Sequence, residues 1–199
     1  MKKPAIPGMN RLQLASGAAL KALEKFPPSS QIGLWTFDLA HGSQPKDWFE
    51  RVPIRRIDAT AGPLPQRQAL ARSAMGLQWQ RANGTAVHDT VWAGYQQLQR
   101  TYQPDYANAL VLLTDGKNED PSSISEAQLI ANLRQAGKDS ARPVRLVLIA
   151  ISQDADLGAL QRIAAAVPDG QAYDARRPEN IYAIMQTALT TREIAAPAQ

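Results

Sequence analysis

Ala109-Leu110-Val111-Leu112-Leu113 runs without a polar side chain into Thr114-Asp115-Gly116. Such a run reads as a buried strand. It delivers the Asp115 carboxylate to the C-terminal tip, the edge of an open α/β sheet where ligands bind. Gly84-Thr85 stands just before a helical pattern over 86–102, whose apolar stripe is Val87, Val91, Tyr95, Leu98 and Tyr102. A helix of 17 residues climbs about 25 Å at 1.5 Å per residue. Seven residues of strand, 108–114, return about 23 Å. The two lengths nearly cancel, so Thr85 and Asp115 are expected on one edge of the sheet although thirty positions separate them. A hydroxyl and a carboxylate converging there suit a hard divalent cation such as Mg²⁺, which takes oxygen ligands and keeps several waters. Taken singly, Thr85 is also a good helix N-cap, and Asp-Gly is a common turn pair.

Three acidic residues stand near this pair in sequence. Asp89 lies one turn beyond Thr85, where it could hydrogen-bond the site or sit as a solvated carboxylate at a favourable helix start. Glu119 and Asp120 form an acidic loop after Asp115, read either as a rim that shapes ligand preference or as solvated surface. His88 is read either at the rim of the same edge or, more simply, as a surface histidine on the helix. Trp35 and Trp92 read as core, and Trp48 as part of a loop.

Other chemistries find little support. Cysteine is absent, which removes disulfides, thiolate catalysis and Cys-ligated zinc. His41 and His88 are the only histidines and lie far apart. No Gly-x-Ser-x-Gly elbow or Walker loop occurs. A phosphatase-like hydrolase with Asp115 as nucleophile would want a second aspartate two positions on, where Lys117 stands. The 22 basic and 18 acidic residues give a net charge of +4. Only Arg51, Arg55 and Arg56 cluster, with no nucleic-acid reading motif beside them. No stretch approaches the ~20 apolar residues of a membrane span. Met-Lys-Lys-Pro lacks the apolar segment of a secretory signal, so the expectation is a cytoplasmic protein or a chain that begins partway through a longer one.

Helical and strand patterns alternate, which argues for an α/β fold with a mainly parallel sheet. A helix is expected over 11–26, stopped by Pro27-Pro28, then a buried strand over 31–37. A short strand over 51–54 is confined by Pro53 to an edge or a strand end. Further helices are expected over 66–80 and 86–102, and strands over 109–113 and 144–151, the latter central. Ser125 opens one helix with the spacing of a capping box to Gln128, and Asp156 caps another. A short strand over 171–173 precedes a last helix opening at Pro178. Residues 1–194 read as one domain and 195–199 as a disordered tail.

Gly84-Thr85-Ala86-Val87-His88-Asp89-Thr90, followed by Leu112-Leu113-Thr114-Asp115-Gly116-Lys117-Asn118-Glu119-Asp120, resembles bacterial von Willebrand factor type A domains over most of the chain. The resemblance implies a Rossmann-like, three-layer fold and a metal-ion-dependent adhesion site built from three loops. Thr85 matches the second loop and Asp115 the third. The first, Asp-x-Ser-x-Ser at the end of an opening strand, is absent before the first helix. The resemblance therefore implies that the opening strand is missing, with the chain starting just past it. That strand would lie centrally, between 31–37 and 109–113, and its loss leaves two strand edges open.

The implied function is a non-catalytic binding module. In the intact protein Mg²⁺ (or Mn²⁺ or Ca²⁺) would coordinate a carboxylate of a protein ligand or of another domain of the same polypeptide, in an extracytoplasmic or cell-surface setting. Two protein oxygens alone are too few for a tight site, so this chain is expected to bind metal there weakly or not at all. The alternatives are a metal-independent interaction scaffold and, less favoured, the hydrolase using Asp115.

Overall fold

A computed structural model describes residues 4–6, 9–39, 47–60, 62–77, 84–177, 180, 183–184 and 187. In chain order the elements are β1 (Pro4–Ile6), β2 (Met9–Asn10), α1 (Arg11–Leu23), β3 (Gln31–Phe37), β4 (Trp48–Arg56), α2 (Gln66–Met75), α3 (Val87–Arg100), β5 (Ala109–Thr114), α4 (Glu126–Ala136), β6 (Arg145–Ala150), α5 (Leu157–Ala164) and β7 (Gln171–Asp174).

β6 lies between β5 and β7, parallel to both and in unbroken register, with Ala109 opposite Arg145 and Thr114 opposite Ala150. Leu146 through Ala150 are fully buried. Alternate residues explain why no polar side chain interrupts them. Leu146, Leu148 and Ala150 join Leu112 in a core with Val91 and Tyr95 of α3, Leu129 and Leu133 of α4, and Ile163 of α5. Val147 and Ile149 point the other way, onto Ala15 and Ala18 of α1. A sheet covered on both faces needs apolar side chains at every position. The result is an α/β fold in three layers, with five helices and both parallel and antiparallel strand pairs among the described residues.

β3 and β4 form a separate antiparallel pair whose register shifts on both sides of Leu34. Every residue of β3 is half-buried, and in β4 only Val52 is buried. Pro53 sits in this two-stranded edge, where its missing N–H is tolerated. Side chains from α2 tie the hairpin to the helices. Gln66 donates its amide N–H groups to the carbonyls of Ile32 (2.9 Å) and Pro53 (2.7 Å). The Arg67 guanidinium donates to the carbonyls of Leu23 and Phe26, the C-terminal end of α1, where a cation is favoured. β1 and β2 pair only with each other, so among the described residues no strand borders the outer edge of β5 or of β3.

Several boundaries differ from the sequence reading. α1 ends at Leu23, before Phe26, and α3 spans 87–100. β4 is nine residues long and begins at Trp48, which is a strand residue stacked on Trp35 with ring centroids 6.0 Å apart. The pairing extends the strand because the two indoles support each other across the hairpin. Trp35 is accordingly half-buried in the hairpin and outside the main core. The expected caps are present: Ser125 accepts the Gln128 N–H and Asp156 the Ala159 N–H. Residues 78–80, 178 and 195–199, and His41, lie outside the described residues.

Candidate functional site

The parallel strands end together. Thr114 closes β5, and its hydroxyl donates to the Gly116 carbonyl while accepting the Gly116 N–H, which folds the chain back at Asp115. Ser152, just past β6 and fully buried, donates its hydroxyl to the Asp115 carbonyl. Thr85 arrives from the α3 side. A Cβ at Gly116 would stand 2.9 Å from Thr85 Oγ1, so the hydroxyl rests directly against the Asp115–Gly116 link. The Thr85 carbonyl accepts the Glu119 N–H at 2.8 Å. Gly84 lets the chain come this close: its φ is +134°, and a Cβ there would stand 2.4 Å from Leu39 Cδ1.

Thr85 does not cap α3. The cap position belongs to Ala86, which offers no side-chain acceptor. Asn118, thirty-one positions away from Val87, takes that role: its Oδ1 accepts the N–H groups of Val87 (2.8 Å) and His88 (3.1 Å). Helix starts leave such amides without intrahelical partners. The loop after β5 is fastened to α3 twice more. His88 Nδ1 lies 2.9 Å from the Ile124 carbonyl, and the Ile124 N–H donates to Asp89 Oδ1 at 3.2 Å. His88 is buried, not a surface histidine, because its ring serves as a strut to that loop.

Asp89 is half-buried, and Asp120 is only 8% exposed, in contrast to the solvated loop residue suggested by its acidic neighbours. Glu119 does face solvent. One Asp120 oxygen, Oδ1, accepts from the Ser122 N–H (2.8 Å) and hydroxyl (2.7 Å). The other, Oδ2, is buried and has no hydrogen-bond partner among the described residues. Asp47, just before β4, completes a group: one carboxylate oxygen each from Asp47, Asp89 and Asp120 lies within 4.8 Å of the others. Burial raises the pKa of Asp89, and the charges of Asp120 and Asp47 add to the rise. Three clustered carboxylates could coordinate a divalent metal.

Sequence reading did not find Asp47, because it belongs to a hairpin far from both motifs in the chain. Asn118 lies within the quoted motif, but nothing local marks it as the cap of a helix that starts thirty-one residues earlier. Asp120 gives one usable signal, the serine two positions on, whose N–H and hydroxyl satisfy one of its two oxygens.

No family model matches the chain. An uncharacterised protein of Mycobacterium tuberculosis, in strains CDC 1551 / Oshkosh and ATCC 25618 / H37Rv, is 26% identical over 163 residues. The match takes in 79% of this chain but only 22% of those proteins, so the chain spans about a fifth of the length of the curated relatives it matches. Among solved structures, a von Willebrand factor type A protein from Catenulispora acidiphila superposes with a TM-score of 0.68 at 19% identity, over 89% of this chain and 37% of that one. Proximal thread matrix protein 1 of the mussel byssus, in a form with a zinc-occupied metal-ion-dependent adhesion motif, gives 0.61 at 12% identity, over 90% and 42%. At these identities the likeness is one of architecture: the chain has a fold similar to that of a bacterial von Willebrand factor type A domain.

Proposed function

We propose that this chain is the core of a non-catalytic interaction module of the von Willebrand factor A type, with Thr85 and Asp115 as metal ligands on its recognition edge. The observation that carries the reading is the seating of the Thr85 hydroxyl against the turn that holds Asp115, at the C-terminal end of the parallel strands. A hydroxyl and a carboxylate are the donor types that hard cations take. When bound, Mg²⁺ or Mn²⁺ would supply a positive centre for a ligand carboxylate. Gly84 and Asn118 fix the Thr85 segment, Ser152 fixes Asp115, and Glu119 stands at the rim. The zinc-occupied motif of the byssus protein supports such a use of this fold. The much greater length of the mycobacterial relatives supports a partner within the same polypeptide. An extracytoplasmic placement rests on the family likeness alone. Among the described residues no helix is long and apolar enough to cross a membrane.

Mn²⁺ resonance titration tests the proposal, with acetyl-glutamate as a carboxylate probe. Binding to two protein donors is expected to be weak, in the range of about 10⁻³ M, and to tighten when the probe is added. Thr85→Ala and Asp115→Ala should each abolish that synergy. Turnover of p-nitrophenyl phosphate that disappears in Asp115→Asn would overturn the non-catalytic reading.

A further inference from the structure

We infer that Asp47, Asp89 and Asp120 form a second cation site, for a hard divalent ion of the size of Ca²⁺, that fastens the β3–β4 hairpin to α3 and to the loop after β5. The inference does not rest on the role proposed for Thr85 and Asp115. The three carboxylates come from three separate parts of the fold: the start of β4, the first turn of α3, and the loop that carries Asn118. The loop contacts to α3 bring Asp120 beside Asp89, and like charges this close repel.

Asp120 supplies an independent pointer. Its carboxylate is anchored through Oδ1 by Ser122, while the buried Oδ2 has no hydrogen-bond partner among the described residues. A buried carboxylate oxygen without a donor is costly unless something outside the protein satisfies it. A cation meets that need and relieves the repulsion in one step. The spacing is compatible with an ion of the size of Ca²⁺. Ca–O bonds of 2.3–2.6 Å place oxygens on opposite sides of the ion about 4.6–5.2 Å apart, whereas Mg–O bonds of 2.0–2.1 Å span only about 4.2 Å. Oxygens spread within 4.8 Å fit the larger ion as they stand. Water would complete its coordination.

The position gives the ion a consequence. Asp120 follows Asn118 and Glu119, the two residues that grip the start of α3 and the Thr85 carbonyl. Asp89 holds the Ile124 N–H at the far end of the same loop. Loading the site therefore stiffens the segment that presents Thr85 and Asp115.

Trp48 and Trp92 line a cleft of about 250 Å³ together with Asp47 and Asp89, so indole excitation should sensitise Tb³⁺ bound at the triad. The expected result is sensitised emission that Ca²⁺ displaces with a dissociation constant of about 10⁻⁴–10⁻³ M, and Mg²⁺ displaces less well. Asp120→Asn and the more accessible Asp47→Asn should each weaken Ca²⁺ about tenfold or more, since affinity follows the number of charged ligands. Asp47→Asn keeps the test decisive if Asp120→Asn fails to fold. The double variant Thr85→Ala/Asp115→Ala should bind Tb³⁺ and Ca²⁺ as the parent does, even though it loses the Mn²⁺–carboxylate synergy. Absence of sensitised emission would overturn the inference, as would emission that survives Asp47→Asn but vanishes in the double variant.

Discussion

The β5–β6–β7 sheet and the β3–β4 hairpin solve the problem of burying a strand in opposite ways. β6 is covered on both faces, so residues 146–150 are inaccessible and its register with both neighbours is continuous. β3 has no buried residue, and its register with β4 slips on either side of Leu34. Register is fixed where a one-residue slip would push apolar side chains into water, and weakly fixed where it would not. The parallel unit, with its fixed register, is therefore the platform of the fold, and the hairpin, with its less tightly held register, is termed the flap. The site residues stand where the two meet: Leu39 and Asp47 come from the hairpin, and Gly84 to Asp89 and Asp115 to Asp120 from the platform.

The largest expected effect breaks the platform. Leu148→Ala should cost about 2–5 kcal/mol, the range for truncating a fully buried leucine. Leu34→Ala on the half-buried strand should cost well under half as much in the same urea titration. Equal losses would mean that the hairpin is as tightly integrated as the sheet. Gly84→Ala comes next, because it strikes the junction itself. A side chain there must accept a φ of +134° and displace Leu39. A loss of about 1–3 kcal/mol is expected, together with faster amide exchange at Glu119, whose N–H bonds to Thr85.

The same division explains what the sequence could reveal. The platform was legible because its rules are local. Apolar runs marked β5 and β6, the helical stripe marked Val87, Val91 and Tyr95, and Ser125 and Asp156 announced their helices. The convergence of Thr85 on the turn at Asp115 followed from two lengths that cancel. The flap was not legible to the same degree. β4 is long because Trp48 stacks on Trp35, a contact across the hairpin that no pattern within the strand encodes. Asn118 caps α3 across about thirty positions, and Asp120 lies beside Asp89 and Asp47, which are distant in the chain. Tertiary partners decided these residues, and apart from the serine after Asp120 the local sequence carries no sign of them.

Asn118→Ala sharpens the comparison with a moderate effect. It strips the acceptor from two helix-start amides without altering α3 itself. A loss of about 1 kcal/mol, the usual cost of deleting a helix cap, is expected in urea. Exchange should quicken at Val87 and His88 while the amides of β6 stay protected. If β6 loosens as well, the platform includes the loop.

The smallest effect concerns the ion pairs on each region's surface. Glu126 in the first turn of α4 accepts two hydrogen bonds, at 2.6 and 3.0 Å, from Arg162 in the last turn of α5. Each charge also complements its own helix dipole. The hydrogen bond from Arg162 holds the Glu126 carboxyl below its ordinary pKa. A lowered folded-state pKa means the pair's contribution is fully present above the unfolded glutamate value of about 4.3 and fades as the pH falls through the lower folded value. The Arg162 side chain is exposed and Glu126 is only half-buried, so solvent screening keeps the contribution small. Arg162→Gln should shift the urea midpoint slightly at neutral pH and not at all once Glu126 is protonated. In the hairpin, Arg56 pairs with Asp58 only two positions away. That pair lies within one turn of chain with both side chains exposed, and Tyr106 before β5 is only a minor further neighbour of the guanidinium, so Arg56→Gln should leave the midpoint nearly unchanged at either pH. A larger shift from Arg56→Gln than from Arg162→Gln would show that the flap depends on its surface charges in a way the platform does not.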